Sequence, residues 1–225
     1  MKKKGWKGKL KSTLLFLIFL LLFGLTLGTF IHEFIAHGGT AYIFGGEITD
    51  FRISILSKVN GSFSIHPLNI IGGWTYNTFP KYWYEEMTLK WGDYTPLADG
   101  FITIMAPIIS LLISLTATLF ILTKKPKGWR KYLLLVFAIY FIDPLWNFFA
   151  SDFTYLFNLI GFFYHLPFVI ISILVAINSS FIIYMSLRQK FKREKLFKRS
   201  IILLYLLVFL YLIYFGFRIY WIYYL

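Results

Sequence analysis

The chain has 225 residues, of which 58% are hydrophobic, 22% aromatic and only 15% charged. A soluble domain carries about 25% charged residues, so this composition excludes a water-soluble globular protein and a disordered chain, and leaves an integral membrane protein. There is no cysteine, which excludes disulfide scaffolds, thiolate metal sites and cysteine nucleophiles. The net charge of +13 says something about partners only through where the charges sit.

Of the 23 Lys and Arg, 18 fall in three clusters: six in the opening MKKKGWKGKLK, five from Lys124 to Lys131 and seven from Arg188 to Arg199. Apolar runs separate them, each long enough or nearly so to cross about 30 Å of hydrocarbon as a helix. Five crossings that start inside put all three clusters on one side, as the positive-inside rule requires. Charge metered out between apolar runs describes a membrane topology and not a nucleic-acid interface, so no nucleic-acid partner is expected. The reading is an α-helical integral membrane protein with a cytoplasmic N-terminus, in which the lipid bilayer is an obligatory partner.

In chain order, a basic segment (1–11) precedes a first crossing (12–37). Its basic start and apolar centre are also features of a secretory signal peptide, but it ends in Ile31-His32-Glu33 without a small-residue cleavage site, and a retained helix is expected. FIHEFIAHGG closes it, placing His32, Glu33 and His37 directly after 18 nearly uninterrupted apolar residues. Ionisable groups at such a position are costly and mark function. Two imidazoles and a carboxylate can hold Zn²⁺ and activate its water, with a later carboxylate as third ligand. The zincin signature H-E-x-x-H puts both histidines on one helix face. Here the spacing is five. In a regular α-helix five steps turn through about 500° and leave the two side chains about 140° apart. A π-bulge, with its i→i+5 pattern, brings i and i+5 together and is frequent at functional sites; the alternative is that Glu33 and His37, four apart, form the co-facial pair.

Strands are expected next. ITDFRISIL and SFSIH alternate around Asn60-Gly61, a strong hairpin signal within 45–66. His66, before Pro67, reads as a loop residue. Gly72-Gly73-Trp74 reads either as a place where a substrate backbone approaches closely or as an ordinary loop. The remaining crossings are 101–123, which contains Ala106-Pro107; 132–151, which ends in NFFASDF; 166–187; and 200–224. Trp and Tyr clusters at Trp74–Tyr76, Tyr82–Tyr84 and Tyr220–Tyr224 fit an outer interfacial belt. His165 is expected at the outer interface.

Two carboxylates compete for the third-ligand position. His32 lies 21 residues beyond Lys11 and Asp152 lies 21 beyond Lys131, so both sit about 31 Å up at 1.5 Å per residue. Asp143 is 12 residues beyond Lys131 and is expected about 13 Å lower. This puts Asp152 level with His32, and gives Asp143, before Pro144 in a kinked helix, a supporting role.

HEFIAHGGTAYIFGGEITDFRIS, the hairpin, IMAPIISLLISL and NFFASDFTYLFNLIG together resemble the site-2 protease family of intramembrane zinc metallopeptidases, in its small form without a PDZ domain. The resemblance spans roughly residues 14 to 175, with H-E-x-x-x-H in place of H-E-x-x-H, Ala106 in place of a glycine and Phe153 after Asp152. It implies His32, His37 and Asp152 as Zn²⁺ ligands, which the level of Asp152 supports, and Glu33 as general base. It also implies a membrane-spanning helix as substrate, unwound and paired with a strand edge. The rival expectations are a catalytically inactive relative that binds a membrane helix, and an ion transporter. The lack of an internal inverted repeat counts against the transporter.

Overall fold

The computed structural model describes residues 11, 13–19, 22, 26–53, 56–65, 73–78, 96–147, 156, 158–188 and 194–224. Residues 13–19 are helical, and a short α1 (Gly28–Phe30) runs directly into a π-helix, Ile31–Gly38. A last α-helical stretch, α2 (Gly39–Ile43), follows. Gly45 stops it: with φ of +82° it takes the left-handed position of a Schellman end, in which Gly46 N–H bonds the Ala41 carbonyl and Gly45 N–H the Tyr42 carbonyl, at 2.8 and 3.0 Å.

Four antiparallel strands come next: β1 (Glu47–Ile53), β2 (Leu56–Val59), β3 (Ser62–Ile65) and β4 (Gly73–Thr78), in the order β3-β2-β1-β4. The Asn60-Gly61 turn is present, both residues having positive φ between paired Val59 and Ser62, as a two-residue type I′ hairpin requires. Asp50 Oδ1 accepts the Asn60 N–H at 2.8 Å. The long first strand anticipated before this turn is instead two, because Ile53 pairs with Leu56 and the chain folds back between them. Residues 73–78, anticipated as loop or backbone-approach site, form β4 on the other edge of β1. Each surprise has one cause: alternation locates extended chain, but not where it reverses nor which strand it joins.

Three helices are long and apolar enough to cross a membrane, within α3 (Pro96–Lys124), α6 (Phe162–Arg188) and α7 (Glu194–Tyr224). Their spans run Ala98–Lys124, Phe163–Arg188 and Glu194–Ile222. The first is 61% buried, against 39% and 28% for the others, which makes α3 the central helix. It packs against the π-helix, α6 and α7 and against α4 (Trp129–Ala138). Pro107 lies well inside α3. The anticipated crossing at 132–151 is broken: α4 gives way to a 3₁₀ turn, Ile139–Phe141, and then α5 (Ile142–Asn147). Pro144 explains the break, since it cannot donate to the carbonyl four residues back.

The described residues of the second and third basic clusters share one end of the bundle. Glu194, at the start of α7, bridges Lys125 at 2.8 Å and Lys198 at 2.7 Å, and Lys131 donates to the Ser186 carbonyl at 2.7 Å. Phe16 packs on Tyr132, ring centroids 6.4 Å apart, which brings the start of the first helical run to that same end. The hydroxyls along the α3–α6 seam are satisfied locally. Ser114 donates to the Ala138 carbonyl and lies 3.1 Å from Ser179, and Thr118 and Ser172 bond back to their own helices. This is close helix packing of the kind small polar residues permit in membranes.

His165, anticipated at the interface, is fully buried. Its Nε2–H donates to the Leu156 carbonyl at 2.8 Å, and its Nδ1 accepts from the Tyr211 hydroxyl at 2.9 Å. It ties α6 to α7 and to the segment at Leu156. Replacing His165 by Leu is expected to destabilise the protein by about 1–3 kcal/mol for each of the two groups left unpaired. A thermal melt in detergent, compared with zinc content, checks this: stability falls and metal content does not change.

Candidate metal centre

The site is built from one local irregularity. In the π-helix the Gly39 N–H reaches the carbonyls of Ala36, Ile35 and Phe34, the last being the i→i+5 pattern that admits an extra residue per turn. The consequence falls on the five-residue spacing of the two histidines. Their rings meet edge to face, centroids 4.8 Å apart at 82°, with His32 Nε2 and His37 Nε2 3.2 Å from each other. Of the two arrangements the spacing allowed, the π-bulge is the one the chain adopts. Close packing holds the turn in place, since a Cβ on Gly38 would collide with the Ile48 side chain of β1.

Each ring is oriented from behind. His37 Nδ1–H donates to the Ile102 carbonyl of α3 at 2.7 Å. That carbonyl lies five residues before Pro107, one position before the Thr103 carbonyl that the missing proline N–H leaves without its helical donor. His32 Nδ1 lies 3.1 and 3.2 Å from the two carboxylate oxygens of Asp143, and Ser110 Oγ donates to Asp143 Oδ2 at 2.7 Å. The His32 side chain is 12% exposed and that of Asp143 27%, so the pair is only weakly screened. With both Nδ1 atoms donating, both Nε2 atoms carry their lone pairs toward one another. At 3.2 Å two such lone pairs repel unless a cation, metal or proton, lies between them.

The donor set fits zinc as far as it goes. Two imidazole nitrogens each about 2.0–2.1 Å from a tetrahedral ion stand about 3.3 Å apart, which is close to the observed 3.2 Å. A carboxylate or carbonyl behind each ligating histidine is the usual support, because it fixes the tautomer and raises ligand basicity. Among the described residues no group of three His, Cys, Asp or Glu comes together. Asp143 does not complete the set from this position, since it faces Nδ1 of His32, the ring edge opposite the inter-histidine contact. Asp152, the anticipated third ligand, lies outside the described residues, as do Gly72 and His66. Glu33 is half-buried on the π-helix between the two histidines. Gly73 and Trp74 open β4, which packs against the π-helix.

The structure corrects the anticipated depth of Asp143. Phe16 lies beside Tyr132, a Cβ on Gly28 would lie 3.4 Å from the Tyr140 hydroxyl, and His32 touches Asp143. The two segments therefore run alongside each other in the same direction and arrive level. Sixteen residues from Phe16 to His32 run beside eleven from Tyr132 to Asp143, and most of that difference, 12 against 8, accrues between Phe16 and Gly28, before the π-helix Ile31–Gly38. Ser110 and the Ile102 carbonyl were not legible in the sequence, because serine is an ordinary residue in apolar helices and a carbonyl has no signature.

Comparison of the chain with models of protein families, with curated proteins and with solved structures finds no match.

Proposed function

We propose that this chain is a zinc-dependent intramembrane endopeptidase that cleaves a peptide bond in or near a membrane-spanning helix. The observation that carries the reading is the pair of Nε2 atoms facing each other at 3.2 Å across a π-turn. Five crossings are proposed, adding the helical run that ends at His37 and the broken segment from Tyr132 to the three long apolar helices. The basic clusters lie in the cytoplasm and the site is nearer the outer face.

His32 and His37 hold the ion, Asp152 is the proposed third ligand, and Asp143 with Ser110 keeps the His32 ring in register. When bound, Zn²⁺ supplies Lewis-acid polarisation of the scissile carbonyl and lowers the pKa of water. Glu33 accepts the proton of the attacking water on its carboxylate and returns it to the leaving amine nitrogen. Both edges of β1 are occupied, by β2 and β4. The strand order leaves β3 and β4 as the outer strands, and β4, which packs against the π-helix, takes the unwound substrate by strand addition, with Gly73 and Trp74 at its start. That pairing satisfies amides which in a membrane helix are bonded internally.

The same inter-histidine contact also suits a shared proton, the basis of a second reading in which the Asp143–His32–His37 chain conducts protons without hydrolysis. One experiment separates them. Purified protein in lipid nanodiscs is incubated with labelled membrane-spanning peptides, then stripped with a chelator and resupplied with zinc. The protease reading expects cleavage that the chelator stops and zinc restores. Absence of cleavage by zinc-loaded protein across the peptide set, together with proton flux in vesicles, would replace it with the second.

A further inference from the structure

We propose that Arg218, held against Tyr164 between α6 and α7, binds the phosphate of a phospholipid headgroup in the leaflet opposite the basic clusters. The inference rests on α7 spanning the bilayer but not on the peptidase reading. Arg218 departs from the charge pattern: it lies 24 residues beyond Glu194, about 36 Å along the helix and at the far end from Lys125 and Lys198, which Glu194 bridges. An arginine near a helix end ordinarily extends its guanidinium into water. This one does not. Its Cζ stands 3.8 Å above the centre of the Tyr164 ring, and its Nε is shut away from solvent without a hydrogen-bond partner.

The local environment specifies the ligand. Among the described residues no carboxylate pairs with Arg218, and an anionic headgroup supplies that partner in the proposed complex. Stacking on Tyr164 fixes the plane of the guanidinium, and a fixed planar fork is matched by the two oxygens of a phosphodiester. Phe163, Phe217, Tyr220 and Trp221 nearby in sequence are all exposed, from 48% to 80%, and form the aromatic girdle that marks headgroup level. An anion reaching Arg218 at this depth is joined to an acyl chain that lies against those rings, and this commits the site to a lipid and not to free phosphate.

The test uses full-length protein reconstituted either with phosphatidylglycerol or with an uncharged galactolipid, extracted in detergent and examined by native mass spectrometry. Wild type is expected to retain one phosphatidylglycerol and no galactolipid. Arg218→Gln is expected to lose at least ten-fold of that retention, and Arg218→Lys to keep only part, having charge without the planar fork. Equal retention by wild type and Arg218→Gln would overturn the site. Should Arg218→Gln fail to fold, Tyr164→Leu serves instead, with the same ten-fold loss expected and unchanged retention counting against the site. Inorganic phosphate that displaces the lipid at millimolar concentration and protects lipid-free protein against heat would overturn the commitment to a lipid. Extraction of wild-type protein from membranes by alkaline carbonate would overturn the bilayer placement itself, independently of the lipid result.

Discussion

Replacing Glu33 by Gln is expected to lower kcat for cleavage of a membrane-spanning peptide by about 10²–10⁴-fold, the range a general base contributes, with KM and zinc content nearly unchanged. Glutamine has the size and shape of glutamate, so the π-turn on which it sits is retained, as is the packing of Gly38 on Ile48. What is lost is the ability to take a proton. The comparison is informative because residues that only shape the turn would move stability or metal content instead. Steady-state kinetics beside zinc analysis checks it, and activity of the Gln variant within two-fold of wild type would remove Glu33 from the chemistry.

The second large effect is expected at Asp143. Its two oxygens lie 3.1 and 3.2 Å from His32 Nδ1, and one also accepts from Ser110. Asp143→Asn keeps an acceptor for the imidazole but removes the negative charge that makes Nε2 a better donor to a cation. It also points an amide N–H₂ at one of the two groups that now donate. Zinc affinity is expected to fall about 10–100-fold, the usual cost of losing such a partner. Ser110→Ala, which removes only the outer hydrogen bond, is expected to cost less. Competition titration with a chromophoric chelator measures both, and unchanged affinity in Asp143→Asn would mean that the His32–Asp143 contact is structural alone.

The two predictions rest on features that were unequally legible in the sequence. The bulged turn was legible as one of two options: histidines five apart cannot share a face of a regular helix, so either the helix bulges or Glu33 and His37 form the co-facial pair, and the helix bulges. The three long apolar helices were legible, within five expected crossings, from the spacing of apolar runs between basic clusters, because a bilayer imposes length and charge asymmetry directly. The level of Asp143 was not, because residue counts from Lys11 and Lys131 do not fix where two neighbouring segments come level. Nor was the role of His165, a buried strut between α6 and α7 and not an interfacial residue, since polarity does not distinguish a histidine meeting water from one meeting a carbonyl. Strand β4 was hidden for a related reason: glycine and aromatic residues in 72–76 are compatible with a loop, and only pairing with β1 makes them a strand.

Absorption spectroscopy at the zinc edge, on purified protein with its metal content counted, probes the bulged turn and its ligands together. One zinc per chain is expected, with a shell containing two imidazole nitrogens at about 2.0–2.1 Å and the remainder oxygen, and with the ion lost from His37→Ala. Protein that holds no zinc after loading, or zinc in a shell without imidazole, would contradict the account.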